Sequence, residues 1–319
     1  NGNDTIIGGA GLDYIEGDAG NDLIYGDHEN GESSSDNADQ INAGSGDDEV
    51  FGRGGNDDIY GGPGSDYLNG GSGMDAIYGG YDNDELVGES GNDNLWGDYG
   101  DDIIYGDSST GDSSQDGNDR LFGGFGDDEL YGRGGDDYLV GQSGLDTLIG
   151  GEGADVFVLT SYSSPDSKDT IKDYVDGTDK IGLINIDFDS LTITQATNAV
   201  DTNITNADGN LIAVLEGVAA TDIDETDFVS LDFNLNEILD VALTGANWNL
   251  TSLSLGSDGE LNEGVDSSSK ESDFLSDSAN SDQPNSDADF NSKTIINSDL
   301  IDSLIDPYED LSLSMNDFI

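Results

Sequence analysis

Cysteine is absent from the 319 residues, so the chain has no disulfides, no thiolate metal ligands and no cysteine nucleophile. Histidine occurs once, at His28, which excludes the paired histidines of an H-E-x-x-H zinc site. Basic residues are scarce: 8 Lys and Arg stand against 70 Asp and Glu, a formal net charge of -62. Binding a phosphate backbone takes Lys and Arg, so nucleic acid is excluded as a partner, and an anionic membrane surface is disfavoured on the same ground. No apolar run is long enough to span a bilayer. There is no G-x-S-x-G between a strand and a helix, and no glycine-rich loop ends in Lys-Ser/Thr. These absences predict no enzyme within this chain. No signal peptide is visible, and the chain starts inside a pattern, at "NGNDTII", so it reads as the C-terminal part of something longer.

What is abundant is ordered. The stretch "GGPGSDYLN" at residues 61–69 is followed at once by "GGSGMDAIY" at 70–78. Stepping by nine from Asp66 finds Asp48, Asp57, Asp75, Asp84, Asp93 and Asp102 in one register. Asp13 and Asp22 lie in a second register, and Asp128, Asp137, Asp146 and Asp155 in a third. With Asp4, Asp39 and Asp119 there are sixteen motif aspartates. The residue two steps after each is apolar, and the residue two steps before is Gly in all but two, Asn37 and Asp82. The unit is G-G-x-G-x-D-x-U-x, with U apolar. Ala43 stands for the first Gly of its repeat, and Asp4 has an incomplete turn before it.

Each part has a physical role. Glycines allow positive φ and close backbone approach, so a six-residue turn forms. The three residues around U make a short strand, with U facing inward. One nonapeptide buries nothing alone; two make one coil, and coils stack at roughly 4.8 Å. Stacking brings aspartates of alternate repeats to one edge. At ~5 Å each neighbouring pair repels by about 1 kcal/mol in water and about 3 kcal/mol at an effective dielectric of 20. A divalent cation between adjacent turns reverses that sign. Carboxylates and turn carbonyls are oxygen-only ligands and favour Ca²⁺ over Mg²⁺.

The repeats "GGAGLDYIE", "GGPGSDYLN", "GGFGDDELY" and "GGEGADVFV" resemble the RTX, or haemolysin-type, calcium-binding repeat. The resemblance covers residues 1 to about 158. It implies an all-β parallel β-roll with two nonapeptides per coil, folding on meeting Ca²⁺ outside the cell, and export by type I secretion machinery. It also implies carboxylate ligands at Asp13, Asp22, Asp39, Asp48, Asp57, Asp66, Asp75, Asp84, Asp93, Asp102, Asp119, Asp128, Asp137, Asp146 and Asp155. Turn carbonyls of Gly61, Gly70, Gly79, Gly123 and Gly132 complete that set of metal ligands.

Two interruptions break the step of nine. From Asp22 to Asp39 and from Asp102 to Asp119 the spacing is one repeat plus eight residues, which places loop insertions near 27–38 and 107–118. The insertions are 80 residues apart, as are Arg53 and Arg133, which suggests duplication of an eight-repeat block. Eight repeats make four coils, so both insertions should leave from the same edge. Each is either a tolerated surface insertion or an edge that takes a partner or a further Ca²⁺. Tyr60, Tyr78, Trp96, Tyr105 and Tyr131 recur three steps after a motif Asp. They read as outward packing or, alternatively, as a stripe for a carbohydrate or surface ligand. His28 reads as a solvated loop residue.

Beyond the repeats, "DTIKDYVDGTDKIGL" at 169–183 resembles the segment that follows the roll in serralysin-like proteases. "LTITQ" and "NLIAVLEGV" read as strands, and residues 159–230 as a small β cap over an open sheet edge. Residues 231–319 carry 19 acidic residues and 2 lysines, with many Ser and Asn, and read as a largely disordered acidic tail. "SDLIDSLID" near its end reads as a helical turn or two, and the final "MNDFI" resembles a type I secretion signal. The expected function is Ca²⁺ binding by a folding and secretion module of a secreted extracellular protein. Two alternatives stand beside it: an appendage of a hydrolase or cytolysin whose active domain lies upstream, and a structural or adhesive repeat of the cell surface.

Overall fold

The structure, a computed structural model, describes residues 1–28, 37–108, 116–160 and 168–231, together with an antiparallel pair of short strands, Leu253–Leu255 and Leu261–Glu263. The chain divides into a unit of Asn1–Asn249 and a second of Leu250–Ile319. The central parts of both insertions and most of the acidic tail, including its expected helical turn and terminal "MNDFI", lie outside the described residues.

Successive repeats alternate between two parallel sheets. One sheet takes Thr5–Ile7, Leu23–Tyr25, Glu49–Gly54, Tyr67–Ser72 and every second strand after them. The other takes Tyr14–Glu16, Gln40–Asn42, Asp58–Pro63, Ala76–Tyr81 and their successors. Partners are therefore two repeats apart: Ile59 lies beside Ile77 and Leu68 beside Leu86. Across the second insertion the register absorbs the extra residues, and Leu95 lies beside Leu121.

The apolar position is the core. From Ile24 to Phe157 all fourteen such side chains are 0% exposed; Ile15 is at 5%, and Ile6, with no coil beneath it, is only half-buried. Each such burial is worth ~1.5–3 kcal/mol. The first four strands have three residues, as expected, but from Glu49 onward most have six. The extension is the turn itself. Gly62 pairs with Gly80 and Pro63 with Tyr81, because stacked glycine turns leave amides and carbonyls that must find partners, and the next coil supplies them.

The segment after the repeats continues both sheets. Asp169–Ile171 and Lys180–Ile184 add in parallel to Thr147–Glu152 and Val156–Thr160. The expected strands appear as Thr192–Gln195 and Leu211–Leu215. With Thr202–Thr205 between them they finish one sheet as an antiparallel meander, and Phe228–Ser230 finishes the other. The described residues contain two short 3₁₀ turns and no α-helix; no helix among them is long and apolar enough to cross a membrane.

Candidate calcium-binding ladders

The turns place the motif aspartates in two rows, one at each junction between the sheets. Oδ1 of each Asp accepts a hydrogen bond from the backbone N–H of the motif Asp one coil earlier. Asp75 accepts from Asp57 at 2.8 Å, Asp93 from Asp75 at 2.8 Å, and Asp119 from Asp93 at 2.8 Å. The other row runs the same way, with Asp66 donating to Asp84 and Asp84 to Asp102, each at 2.8 Å. Both insertions interrupt the same row, at Asp39 and Asp119, so they do leave from one edge.

The second oxygen has a different fate. Oδ2 is buried without a hydrogen-bond partner in Asp13, Asp22, Asp48, Asp57, Asp66, Asp75, Asp84, Asp93, Asp102, Asp119, Asp128, Asp137 and Asp146. These side chains, Asp13 apart, are no more than 3% exposed, and Asp155 is 1% exposed. Asp4 is exposed; its amide donates to Asp22 Oδ1 and its carbonyl accepts from Leu23 N–H. A buried acceptor left unmade costs ~1–3 kcal/mol, and more when charged. That is as much as the apolar residue of the same repeat contributes.

The first glycine of the repeat faces this oxygen. A Cβ on Gly79 would stand 2.5 Å from Asp84 Oδ2 and 2.8 Å from the carbonyl oxygen of Gly97 in the next coil. A side chain there is crowded by both oxygens, which favours Gly; Ala43 is the one departure among the described repeats. The carbonyls of Gly70, Gly79, Gly123 and Gly132 likewise project within 2.6–2.7 Å of the Cβ position on the first glycine one coil back. Opposite Gly61 one coil back stands the fully buried Ala43 rather than a glycine, and the Gly61 carbonyl accepts from Gly44 N–H at 3.1 Å. Asp82 takes the left-handed conformation its glycine counterparts use, with φ 73°.

Burial pushes the ladder carboxyls far up, and neighbouring ladder carboxylates add to this. Asp57, Asp66, Asp93 and Asp102 rise to about 7; Asp75, Asp128 and Asp137 to about 8; Asp84 and Asp119 to about 9; Asp146 and Asp155 to about 6. The site is thus a file of carboxylates with half their oxygen capacity turned toward nothing but turn carbonyls. Among the described residues no three acidic side chains converge into a metal site by themselves. A cation here would draw on backbone oxygen and water as well.

The donor chemistry decides what such a file suits: every available ligand is a hard oxygen. A family model of the RTX calcium-binding nonapeptide repeat (four copies) matches residues 1–28, 33–68, 51–84, 78–110, 114–148 and 134–159. Residues 1–159 belong to the RTX calcium-binding repeat family. The RTX repeats bind Ca²⁺; they are a structural repeat rather than a catalytic one, and typical of extracellular proteins. Among solved structures, the roll is similar to a subunit of the mannuronan C5-epimerase of Azotobacter vinelandii, with 22% identity over 58% of this chain and 92% of that one, TM-score 0.29. It is also similar to the extracellular lipase LipA of Serratia marcescens, with 18% identity over 66% of this chain and 40% of the lipase, TM-score 0.29. No curated protein matches the chain.

Two ladder members escape the nonapeptide rule. Asp155 N–H donates to Asp179 Oδ1 at 3.1 Å, so Asp179 extends one row. Asp169 extends the other: it shares a hydrogen bond with Asp146, and burial together with the Asp146 charge pushes its carboxyl well up. The signal was present in "DTI" and "DKI", each an Asp two steps before a fully buried Ile, Ile171 and Ile181. Only the spacing hid it.

The aromatic residues form several rows rather than one stripe. Tyr60, Tyr78, Trp96 and Phe122 stack along one sheet at 4.5–5.5 Å between ring centroids, within 4° of parallel. Tyr105 and Tyr131 belong to the other sheet, where Arg133 lies over both rings. Ring faces along these rows are taken up by neighbouring rings, which leaves edges rather than the open faces a sugar would stack on. His28 is exposed, as expected of a loop residue.

Proposed function

We propose that this chain is a Ca²⁺-dependent folding module of a type I-secreted extracellular protein, with a roll over residues 1–158, a β cap over 159–230 and an acidic tail over 231–319 that ends in the export signal. The observation that carries the reading is the recurrence of a buried, unpartnered Oδ2 atom in thirteen of the motif aspartates. In this reading the fifteen motif aspartates from Asp13 to Asp155 supply the carboxylate ligands. The carbonyls of Gly61, Gly70, Gly79, Gly123 and Gly132 supply backbone oxygen, and Asp169 and Asp179 prolong the rows. Bound Ca²⁺ supplies positive charge between like charges, and nothing catalytic.

The mechanism follows from the charge. In a cytosol poor in Ca²⁺ the ladder carboxylates repel and resist burial, so the chain stays extended and fit for export. Outside, the ions bind a site that exists only in the folded chain, so binding free energy becomes folding free energy. Affinities of about 10⁻⁴ to 10⁻³ M suit such an extracellular switch. The test is a Ca²⁺ titration followed by far-UV circular dichroism, with Mg²⁺ as control. A coil-to-β transition at roughly millimolar Ca²⁺, absent with Mg²⁺, is the expected result. A chain that is already β-rich in chelator at pH 8 and indifferent to Ca²⁺ overturns the reading.

A further inference from the structure

The insertions break one rule of the roll. At the second position of the repeat the backbone is left-handed in every uninterrupted turn described, whether the residue is Gly9 (φ 103°), Arg53 (83°), Asp98 (70°) or Gln142 (70°). None of the non-glycine side chains held this way is buried. Asp27 and Asp107 occupy the same position, next to Gly26 and Gly106, where the chain leaves the coil. Neither is left-handed, and both are 0% exposed.

Asp107 shows what the inward carboxylate meets. Its Oδ1 accepts from Gly117 N–H at 3.1 Å, across the base of the insertion, and the N–H of Gly134 in the next coil also donates to the carboxylate. Its Oδ2 is buried with no partner. Asp116, at the far end of the insertion, comes to the same glycine: its Oδ2 lies 2.6 Å from where a Cβ on Gly134 would stand. Glu89 is the strand-register neighbour of Asp107 and adds its charge, while its Oε1 accepts from Asn69 at 3.0 Å. Arg133, next to Gly134, is drawn away over the rings of Tyr105 and Tyr131, at 4.9 Å and 5.5 Å, and Arg120, the nearest cationic residue in sequence, is exposed.

We infer that Asp107 and Asp116 hold one further hard divalent cation of the Ca²⁺ class, beside the row of Asp93, Asp119 and Asp137 and additional to the ions of that row; it ties the base of the second insertion to the coil above it. The Asp107 charge also acts on that row. Oxygen-only donors select such an ion, and charge from Glu89 strengthens its hold. As on the ladders, backbone oxygen and water complete the ligand sphere. Glu89's counterpart 80 residues earlier is Gly9, so the full arrangement belongs to the second insertion alone.

The inference rests on the roll itself folding with Ca²⁺, and native mass spectrometry of the Ca²⁺-loaded chain separates the two. The method counts ions one by one. The variants are Asp107→Asn, Asp116→Asn and, as control, Glu152→Gln at an exposed position. The expected result is one ion fewer in each Asp variant, an unchanged count in the control, and faster proteolytic cleavage within the second insertion only. An unchanged count in both Asp variants overturns the site and leaves Asp107 as a protonated carboxyl. So does a loss confined to Asp107→Asn, which makes its ion a member of the Asp93–Asp119 row. Should Asp107→Asn fail to fold, Asp116→Asn decides, since its carboxylate is only half-buried. A wild-type chain that binds no Ca²⁺ removes the proposed function as well; a wild-type chain that folds on Ca²⁺ while the variants keep their ions removes only this inference.

Discussion

Replacing Asp84 by Asn should change stability in opposite directions with and without Ca²⁺. In the folded chain the Asp84 carboxyl is pushed up to about 9, by burial first and then by the Asp102 and Asp66 charges. At pH 8 the folded chain must therefore take up a proton there that the unfolded chain does not hold, which costs roughly 6 kcal/mol at ~1.4 kcal/mol per pH unit. Asn keeps the Oδ1 that accepts from Asp66 and places an amide N–H₂ beside the Gly97 carbonyl. In chelator the substitution should therefore stabilise the fold by several kcal/mol. In Ca²⁺ it removes a charged ligand and should raise the Ca²⁺ concentration needed for folding.

The same quantities set the pH dependence of the unsubstituted chain. Nine ladder aspartates, from Asp57 to Asp137, are raised to between about 7 and about 9. A folded-state value above the unfolded one means that the folded state binds more protons. Metal-free stability is then fully present below about pH 4 and is lost as pH rises through 7–9. Between pH 8 and 5.5 each group returns ~2–3 kcal/mol, on the order of 20 kcal/mol together, more than a typical domain's whole stability of ~5–15 kcal/mol. Far-UV circular dichroism in chelator should show coil at pH 8 and β structure at pH 5.5, above the sequence pI of 4.1. With Ca²⁺ bound the trend disappears between pH 6 and 8, because neither state holds those protons. Glu85→Gln, an exposed position, serves as control for general charge neutralisation. A metal-free chain equally folded at pH 8 and 5.5, or an Asp84→Asn chain that behaves as Glu85→Gln does, would refute the reasoning.

Gly79→Ala forces a methyl against Asp84 Oδ2 and the Gly97 carbonyl, so at fixed Ca²⁺ a urea midpoint should fall by the equivalent of ~1–3 kcal/mol, while Ala43→Gly should cost little. Leu95→Ala hollows a fully buried position and should cost ~2–5 kcal/mol by the same assay. Arg133→Ala removes a guanidinium from two tyrosine rings at the surface of one sheet, and its loss should stay near ~0.5–1 kcal/mol. Asp179→Asn should lower the Ca²⁺ count by one if the row runs on past Asp155, and leave it unchanged if the row ends there.

Much of this molecule was legible because its rules are local. An Asp followed two steps later by an apolar residue, after a glycine turn, names strand, core and carboxylate at once, and each such apolar residue from Ile24 to Phe157 is fully buried. The resemblance of these repeats pointed to the family that the whole roll then matched. What the pattern hid lay where spacing changed. Asp169 and Asp179 stack on the rows from segments of irregular length, and nothing in a count of nine leads to them. The aromatic residues, read as outward packing or alternatively as one stripe, form several rows, because Trp96 and Tyr105 fall on strands of different sheets.

The sequence by itself determined the period, the identity of the buried residue and the oxygen-only ligand chemistry, since these follow from nearest neighbours along the chain. The tertiary structure decided which carboxylates meet. An aspartate finds its partner one coil away, eighteen residues off in a plain turn and twenty-six across an insertion. Only stacking turns those separations into one hydrogen-bond spacing. It also decided that Asp107 turns inward where its counterparts turn out, because the backbone conformation there is set by the chain leaving the coil rather than by the residue that occupies it.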